Sequence, residues 1–289
     1  RSHEIKLKRI KIFSNIFSYL SEVKSASKNL DSKFLIISIS PYTFLISMFL
    51  KILGRKPIVY LRSDGYGEYK AILGKIGPLL YHFMFSITGT ISNLISCRDY
   101  ILRGKKGKII SPSQLDSVWL RQPKNTEVKN FKLLYVGRIR VEKGIFALSE
   151  LIRNKRDISL TIIGAEKGSS NKINQSNIKI FPTQSNKTKL IKYYDDHNIF
   201  ILPSFTEGHP QVLDEALARN RPVIIFKEIS HVLRDRKGIF ISNRDTDSLM
   251  KTIRHIETNY EKIKEEMKKN KLPMKENFII ELKNIIFRN

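Results

Sequence analysis

The chain has 289 residues, 41% of them hydrophobic, which is enough for two cored domains. It carries 52 Lys and Arg against 27 Asp and Glu, a formal charge of +25 that favours anionic partners: phosphate-bearing substrates, an anionic membrane face or nucleic acid. A single cysteine, Cys97, excludes an internal disulfide framework and a cysteine-based zinc site, and RSHEIKLKRI at the start has no apolar core of a signal peptide.

The first 120 residues alternate helical and strand patterns. SNIFSYLSEVKSASKNL has helical spacing and KFLIISIS reads as a short strand. PYTFLISMFLKILGRK follows as an apolar helix, with Pro41 in its first turn and Gly54 past its end. KPIVYLRSDG returns to strand. Residues 76–97, IGPLLYHFMFSITGTISNLISC, form an uncharged run near the length of a membrane span. Pro78, Gly89, Asn93 and His82 interrupt it, so the expectation is a buried helix followed by a strand. GKIISPS adds a later strand. RQPKNTEVKN, residues 121–130, is polar and weakly patterned and reads as a linker.

A second alternation follows: strand FKLLYVG, helix KGIFALSELIRN, strands SLTIIG and NIKIFPT, helix TKLIKYYDDH, strand NIFILPS, helix PQVLDEALARN and strand RPVIIF. The tail is helical, with a break at Pro273. Strands alternating with helices predict parallel sheets covered on both faces. The expected division is a first Rossmann-like domain over 1–120, a linker over 121–130, a second over 131–272, and a terminal helix over 273–289 that returns to the first. Charge is denser in the first part: residues 1–130 hold 22 Lys and Arg against 8 Asp and Glu.

In such sheets, ligands sit at the carboxyl ends of the strands. YVGRIRVEKG ends a strand at Gly137 and holds Arg138 and Lys143 in the turn before a helix, where two cations and free amides suit a diphosphate. ILPSFTEGHPQVLDE delivers Glu207 from a strand end. Gly208 there permits close approach, Pro210 suits the first helical turn, and Glu215 lies inside the helix. Carboxylates bind the vicinal hydroxyls of sugars, so one glutamate for a sugar and one for a ribose is a coherent reading. TIIGAEKG and KIFPTQSN end two further strands that could border a nucleobase. In the first domain, RSDGYGEY places Asp64 in a glycine-rich turn after a strand.

The ordered set GR…KG, IIG, LPS…EG-x-P…EA and PVI resembles the nucleotide-binding half of retaining GT-B glycosyltransferases of family 4, across residues 133–254. Residues 34–120 agree more weakly. The resemblance implies two Rossmann-like domains facing a cleft. It implies transfer of a sugar from a UDP- or GDP-linked donor, used as substrate with no cofactor and no metal, to a glycan or lipid-linked acceptor in envelope polysaccharide or glycolipid synthesis. By it, Arg138 and Lys143 hold the diphosphate, Glu207 contacts the transferred sugar, Glu215 binds the ribose, and Gly208, His209 and Pro210 form the loop beneath. Glu207 is assigned to positioning and charge stabilisation rather than covalent attack. The single cysteine fits a reducing cytoplasm, and a peripheral place on the inner face of the membrane follows from the resemblance and the charge.

The chain departs from the family pattern at several points. No glycine precedes Gly54, so the first strand–loop unit is expected to be missing, either from the natural protein or because the sequence is shortened. Asp64-Gly65 stands where a His-Gly is frequent, SPSQLD retains only Asp116 of another motif, and Asn220 occupies a frequent glycine position, tolerable because asparagine accepts a left-handed conformation. A non-catalytic homologue is one alternative. A basic nucleic-acid-binding module is another, against which stand the dispersed charges and the lack of a recognisable nucleic-acid-binding motif.

Overall fold

The computed structural model describes residues 10–123, 132–155, 157–166 and 173–287. Two parallel sheets organise them, one in each of two compact units. The first unit takes the described residues up to Pro112 together with those from Glu276 onward, and the second spans Ser113–Lys275.

In the first unit the strands β1 (Leu35–Ile37), β2 (Ile58–Leu61), β3 (Asn93–Ser96) and β4 (Gly107–Ile109) pair in that order, all parallel. Helix α1 (Ile16–Ser27) precedes them, and α2 (Pro41–Ile52) crosses from β1 to β2. Ser40 and Thr43 form a reciprocal capping box at the start of α2, which together with Pro41 fixes where the helix begins. Helices α3 (Gly65–Leu73) and α4 (Gly77–Ile91) make a tight hairpin before β3. The terminal helix α12 (Lys275–Phe287) lays Phe278 and Ile285 against Ile58, Tyr60 and Ile95 of this sheet.

The uncharged run thus resolves into α4 and β3. At fifteen residues α4 spans about 22 Å, short of a bilayer core, and no helix among the described residues is long and apolar enough to cross a membrane. The expectation of a buried helix needs correction. Tyr81, Met84, Phe85 and Thr88 turn inward, while Leu79, Leu80 and Phe83 are exposed.

The second unit holds six parallel strands: β5 (Lys132–Val136), β6 (Ser159–Ala165), β7 (Ile178–Pro182), β8 (Ile199–Leu202), β9 (Val223–Phe226) and β10 (Ile239–Ser242). Their spatial order is β10-β9-β8-β5-β6-β7. The chain starts in the middle, winds outward to β7, then returns to the other side of β5 and winds outward again. The reversal lies between β5 and β8, the position where doubly wound sheets bind ligands. β8 and β9 are buried at every residue and are nearly all aliphatic, as strands covered on both faces must be.

The division between units differs from the expected one. Residues 113–120, assigned by pattern to the first domain, belong to the second. Leu115 and Trp119 enter its core, with Trp119 edge-on to Tyr194 at 5.6 Å. Ser113 Oγ donates to the Pro273 carbonyl at 2.5 Å. Arg219 grips Asp195 with two hydrogen bonds of 2.9 and 2.7 Å and donates to the carbonyls of Trp119 and Arg121. Residues 121–123 are therefore tied to the second unit, and the rest of the expected linker, 124–130, lies outside the described residues. Asn220 takes the left-handed conformation at φ 52°, as its position predicts.

Candidate functional site

Gly137 and Arg138 leave the carboxyl end of β5. Gly137 N donates to Ile163 O at 2.9 Å, and the Tyr135 hydroxyl donates to Arg138 O at 2.9 Å, which fixes the turn. Burial, followed by the Glu207 charge, pushes the Tyr135 phenol well above its ordinary range, so it stays a donor. The end of β6 comes close as well: Gly164 has φ 132°, and a Cβ there would sit 2.2 Å from Gly137 O. Only glycine fits that position.

Arg138 is exposed. Lys143 ends a single 3₁₀ turn (Val141–Lys143), and Gly144 follows at φ 65°. A Cβ on Gly144 would lie 1.9 Å from Pro203 O, so the glycine lets the β5 turn pack directly on the loop after β8. Phe205 N donates to Glu142 O at 3.0 Å and fastens the two loops. Across this seam Lys143 Nζ reaches Glu207 Oε1 at 2.7 Å, and Ser204 Oγ donates to the same oxygen at 2.7 Å.

Glu207 is held from its backbone side too. His231 Nε2 lies 2.8 Å from Glu207 O, which requires the proton on that nitrogen. Arg244 donates to Pro203 O at 2.9 Å and pairs with Glu228 at 2.7 Å, and its guanidinium lies between the rings of Phe205 and Phe226 at 4.1 and 4.3 Å. The hydrogen bond from Arg244 holds the Glu228 carboxyl below its ordinary range despite some burial. Ser204, His231 and Arg244 were not given roles from the sequence: Ser204 lies inside the LPS pattern without a stated task, and His231 and Arg244 act on the loop from distant positions.

Helix α9 (Gln211–Ala218) begins directly after this loop. Pro210 is its N-cap residue, one place before the first helical turn where the sequence reading put it. Gly208 is buried beside it. The His209 side chain turns inward with 2% exposure, and its Nε2 lies 2.9 Å from Asp214 Oδ2. Arg236 pairs with the other oxygen of Asp214 and also donates to Val232 O. His209 therefore pins the loop to the first turn of α9, and any ligand contact from this stretch falls to its backbone.

Glu215 is 1% exposed, and the Tyr194 hydroxyl donates to its Oε2 at 2.9 Å. The structure thus seats this carboxylate beneath the surface rather than on it. Tyr194 is itself fixed between Trp119 and Phe200. β6 and β7 end side by side, with Ala165 paired to Pro182, although Lys167 and Gly168 of the TIIGAEKG stretch lie outside the described residues.

In the first unit Asp64 caps α3. Its Oδ1 accepts from Tyr66 N at 3.2 Å, and its Oδ2 lies 3.2 Å from Arg103, whose guanidinium stacks 5.0 Å from the Tyr66 ring centre. Asp116 likewise caps a short helix, α6 (Ser117–Leu120), and pairs with Lys187.

Two parallel-sheet units, one wound about a β5/β8 reversal, form the GT-B fold found in glycosyltransferases. Solved structures agree on the fold. Sucrose-phosphate synthase from Thermosynechococcus elongatus superposes with a TM-score of 0.70 at 15% identity, over 93% of this chain and 77% of that one. A TarM variant from S. aureus, solved with fondaparinux, alpha-GlcNAc-glycerol and UDP, gives 0.67 at 16% identity, over 93% and 59%. The sequence profile of the glycosyl transferases group 1 matches residues 119–274, more than half of the chain, and the protein belongs to that family. Among named relatives, the capsular polysaccharide biosynthesis glycosyltransferase CapM of Staphylococcus aureus is 25% identical, over 87% of this chain and 74% of its own length.

Proposed function

We propose that this glycosyltransferase transfers a hexosyl group from a UDP- or GDP-linked donor, with retention at the anomeric carbon, to a glycan or lipid-linked acceptor of an envelope polysaccharide or glycolipid. The observation that carries the reading is the meeting of Lys143 and Glu207 at 2.7 Å across the β5/β8 reversal, with exposed Arg138 beside it and the start of α9 just behind. A nucleoside diphosphate leaves with growing negative charge. Two cations and the amide end of a helix stabilise that charge. In this reading no metal takes part, and Arg138, Lys143 and the α9 amides hold the diphosphate.

Glu207, anchored by Ser204 and His231, is placed to accept hydrogen bonds from hydroxyls of the transferred sugar. Glu215, one to two turns into α9, takes the ribose. Glu207 positions the sugar and balances charge at the reacting carbon, and no covalent glycosyl–enzyme bond is invoked. CapM, a capsular polysaccharide enzyme by name, supports the acceptor class. Such an acceptor would bring the protein to the cytoplasmic face of a membrane. The deciding experiment incubates the protein with UDP- and GDP-sugars and follows nucleotide release, with and without EDTA. Release from one donor, unchanged by EDTA, supports the reading. Nucleotide binding without turnover on any donor, with a glycan acceptor supplied, would leave a non-catalytic homologue.

A further inference from the structure

Helices α10 (Thr246–Thr258) and α11 (Tyr260–Met267) follow β10, the outermost strand on one side of the second unit's sheet. Between them and the start of β10 lies a cavity of about 230 Å³. Lys237 and Gly238 enter β10 at its amino end, whereas Lys143 and Glu207 follow the carboxyl ends of β5 and β8. These strands run parallel, so the cavity and the donor crevice lie at opposite ends of the sheet.

The backbone around the cavity is fixed. Gly238 has φ 81°, and a Cβ there would lie 2.3 Å from Met267 Cγ, so glycine lets β10 begin directly against α11. Asn270 Oδ1 accepts from Lys237 N at 2.8 Å, and Asn270 Nδ2 donates to Lys237 O at 2.9 Å, which clamps the backbone of this lysine on both sides. Phe240 and Ile263 supply an apolar wall, and the His255 ring stands edge-on to Phe240 with centres 5.6 Å apart. Asn259 Nδ2 donates to His255 O at 2.9 Å, which leaves its amide oxygen to accept a hydroxyl.

Exposed Lys237 and Lys262 complete the lining, and among the described residues neither forms a salt bridge. Glu266 lines the cavity too, but Lys269 pairs with it at 2.7 Å. That bond holds the Glu266 carboxyl below its ordinary range, and the charges of Lys237 and Lys262 add to the effect. Glu261 and Glu265 are taken by Lys264 and Lys268, and exposed Asp235 and Glu257 do not line the cavity. The opening is therefore positive overall.

A cavity of roughly 150 Å³ holds a benzene-sized ring, so this one has room for a six-membered ring with a substituent. The C–H groups of a pyranose face suit the negative face of an aromatic ring, a hydroxyl suits Asn259, and an anionic substituent suits two ammonium groups. An inorganic anion would leave the apolar wall bare, and a neutral sugar would leave both lysines without a counter-charge. We propose that this cavity is a second glycan subsite, which binds an acidic pyranose of the acceptor polymer, one bearing a carboxylate or a phosphate. The proposal rests on the glycan-acceptor reading above and narrows it to an anionic chain. A subsite remote from the reacting end raises the effective concentration of a long acceptor over a short one.

The test follows the full chain by NMR through the His255 ring and the Ile263 δ1 methyl, which report on this cavity and not on the donor crevice. Methyl glucuronide and glucose 6-phosphate are the acidic probes, with methyl glucoside, inorganic phosphate and UMP as controls. Both reporters should move saturably with at least one acidic sugar, and which one binds assigns the anion. The neutral glucoside and inorganic phosphate should bind about fivefold more weakly or worse. Lys237→Gln and Lys262→Gln should each lower affinity about two- to fivefold, and about tenfold together. Phe240→Leu should lower it about two- to tenfold by removing the ring face. The lysine variants should keep the parent Tm, since both side chains are exposed. Silent reporters with both acidic sugars overturn the proposal, as do equal binding of inorganic phosphate, tighter binding of UMP, or parent affinity in the double lysine variant. Nucleotide release from a donor is scored separately. A silent cavity in an active transferase removes the subsite alone, and acidic-sugar binding without turnover keeps it while removing the donor reading.

Discussion

Lys143 Nζ and Glu207 Oε1 stand 2.7 Å apart, joined across two loops that meet only because Gly144 has no side chain. The pair gives each partner two competing demands: in the proposed reaction the lysine turns to the diphosphate and the carboxylate to the sugar. Arg138 carries no such competing bond to Glu207. Arg138→Ala and Lys143→Ala should each remove a charge-assisted contact of about 1.5–3 kcal/mol, weakening UDP or GDP binding about 10- to 100-fold. Isothermal titration with the nucleoside diphosphate measures both, and unchanged affinity in both variants removes the diphosphate from this turn.

The two glutamates should separate in their effects. Glu207→Gln releases Lys143 from its carboxylate partner, so nucleoside diphosphate affinity should hold or rise while kcat falls. Glu215→Gln should raise the donor KM and weaken the free nucleoside diphosphate. Because Tyr194 donates to Glu215 from within the core, Tyr194→Phe should reproduce part of that loss. It should also lower stability by about 1–3 kcal/mol through an under-bonded buried group. If Glu207→Gln abolishes nucleotide binding and Glu215→Gln spares it, the roles are reversed.

Asp64 tests the first unit. Asparagine caps a helix as well as aspartate does, so Asp64→Asn should keep Tm, and sugar transfer should fall if the carboxylate takes part. Asp64→Ala loses the bond to Tyr66 N and the pair with Arg103, and should cost about 0.5–2 kcal/mol. Transfer that tracks Tm in both variants would confine Asp64 to its capping role.

The strands of the second unit were legible because buried parallel strands are continuous apolar runs, and IFIL and VIIF are of that kind. The turn at Gly137 and the loop at Glu207 were legible because glycine and proline punctuate them. The direction of His209 was not. Its sequence neighbours suggest a ligand loop, and its partner, Asp214, lies on the helix behind, where Arg236 of a later loop takes the other carboxylate oxygen. The allegiance of residues 113–120 was hidden for a similar reason: SPSQLD reads as loop, and only Tyr194 and Arg219, far along the chain, reveal what Trp119 and its carbonyl bind. The open side of α4 escaped too, since apolar periodicity shows that a face exists and not what covers it.

His197 gives a pH signature for folding. It is buried at the end of the α8 (Lys187–Asp195) segment, with Nδ1 2.6 Å from Tyr193 O and Nε2 2.7 Å from Thr161 Oγ1. The carbonyl can only accept, so Nδ1 carries the proton, and Nε2 accepts from the threonine hydroxyl. Burial lowers the imidazole pKa below its ordinary value, against an opposing contribution from the Tyr193 carbonyl. The unfolded chain then takes up a proton near pH 6.5, where the folded protein still refuses it. Stability from this residue is therefore complete above that pH and declines as pH falls through the unfolded value, until the folded imidazole titrates as well. Urea unfolding between pH 7.5 and 5.5 should show a falling midpoint for the parent. The slope should be shallower in His197→Gln, which keeps an amide donor for Tyr193 O and has no proton to gain. Parallel slopes would mean that His197 titrates alike in the folded and unfolded chains, and a steeper fall in His197→Gln would mean that His197 is protonated in the fold, with Thr161 Oγ1 as the acceptor.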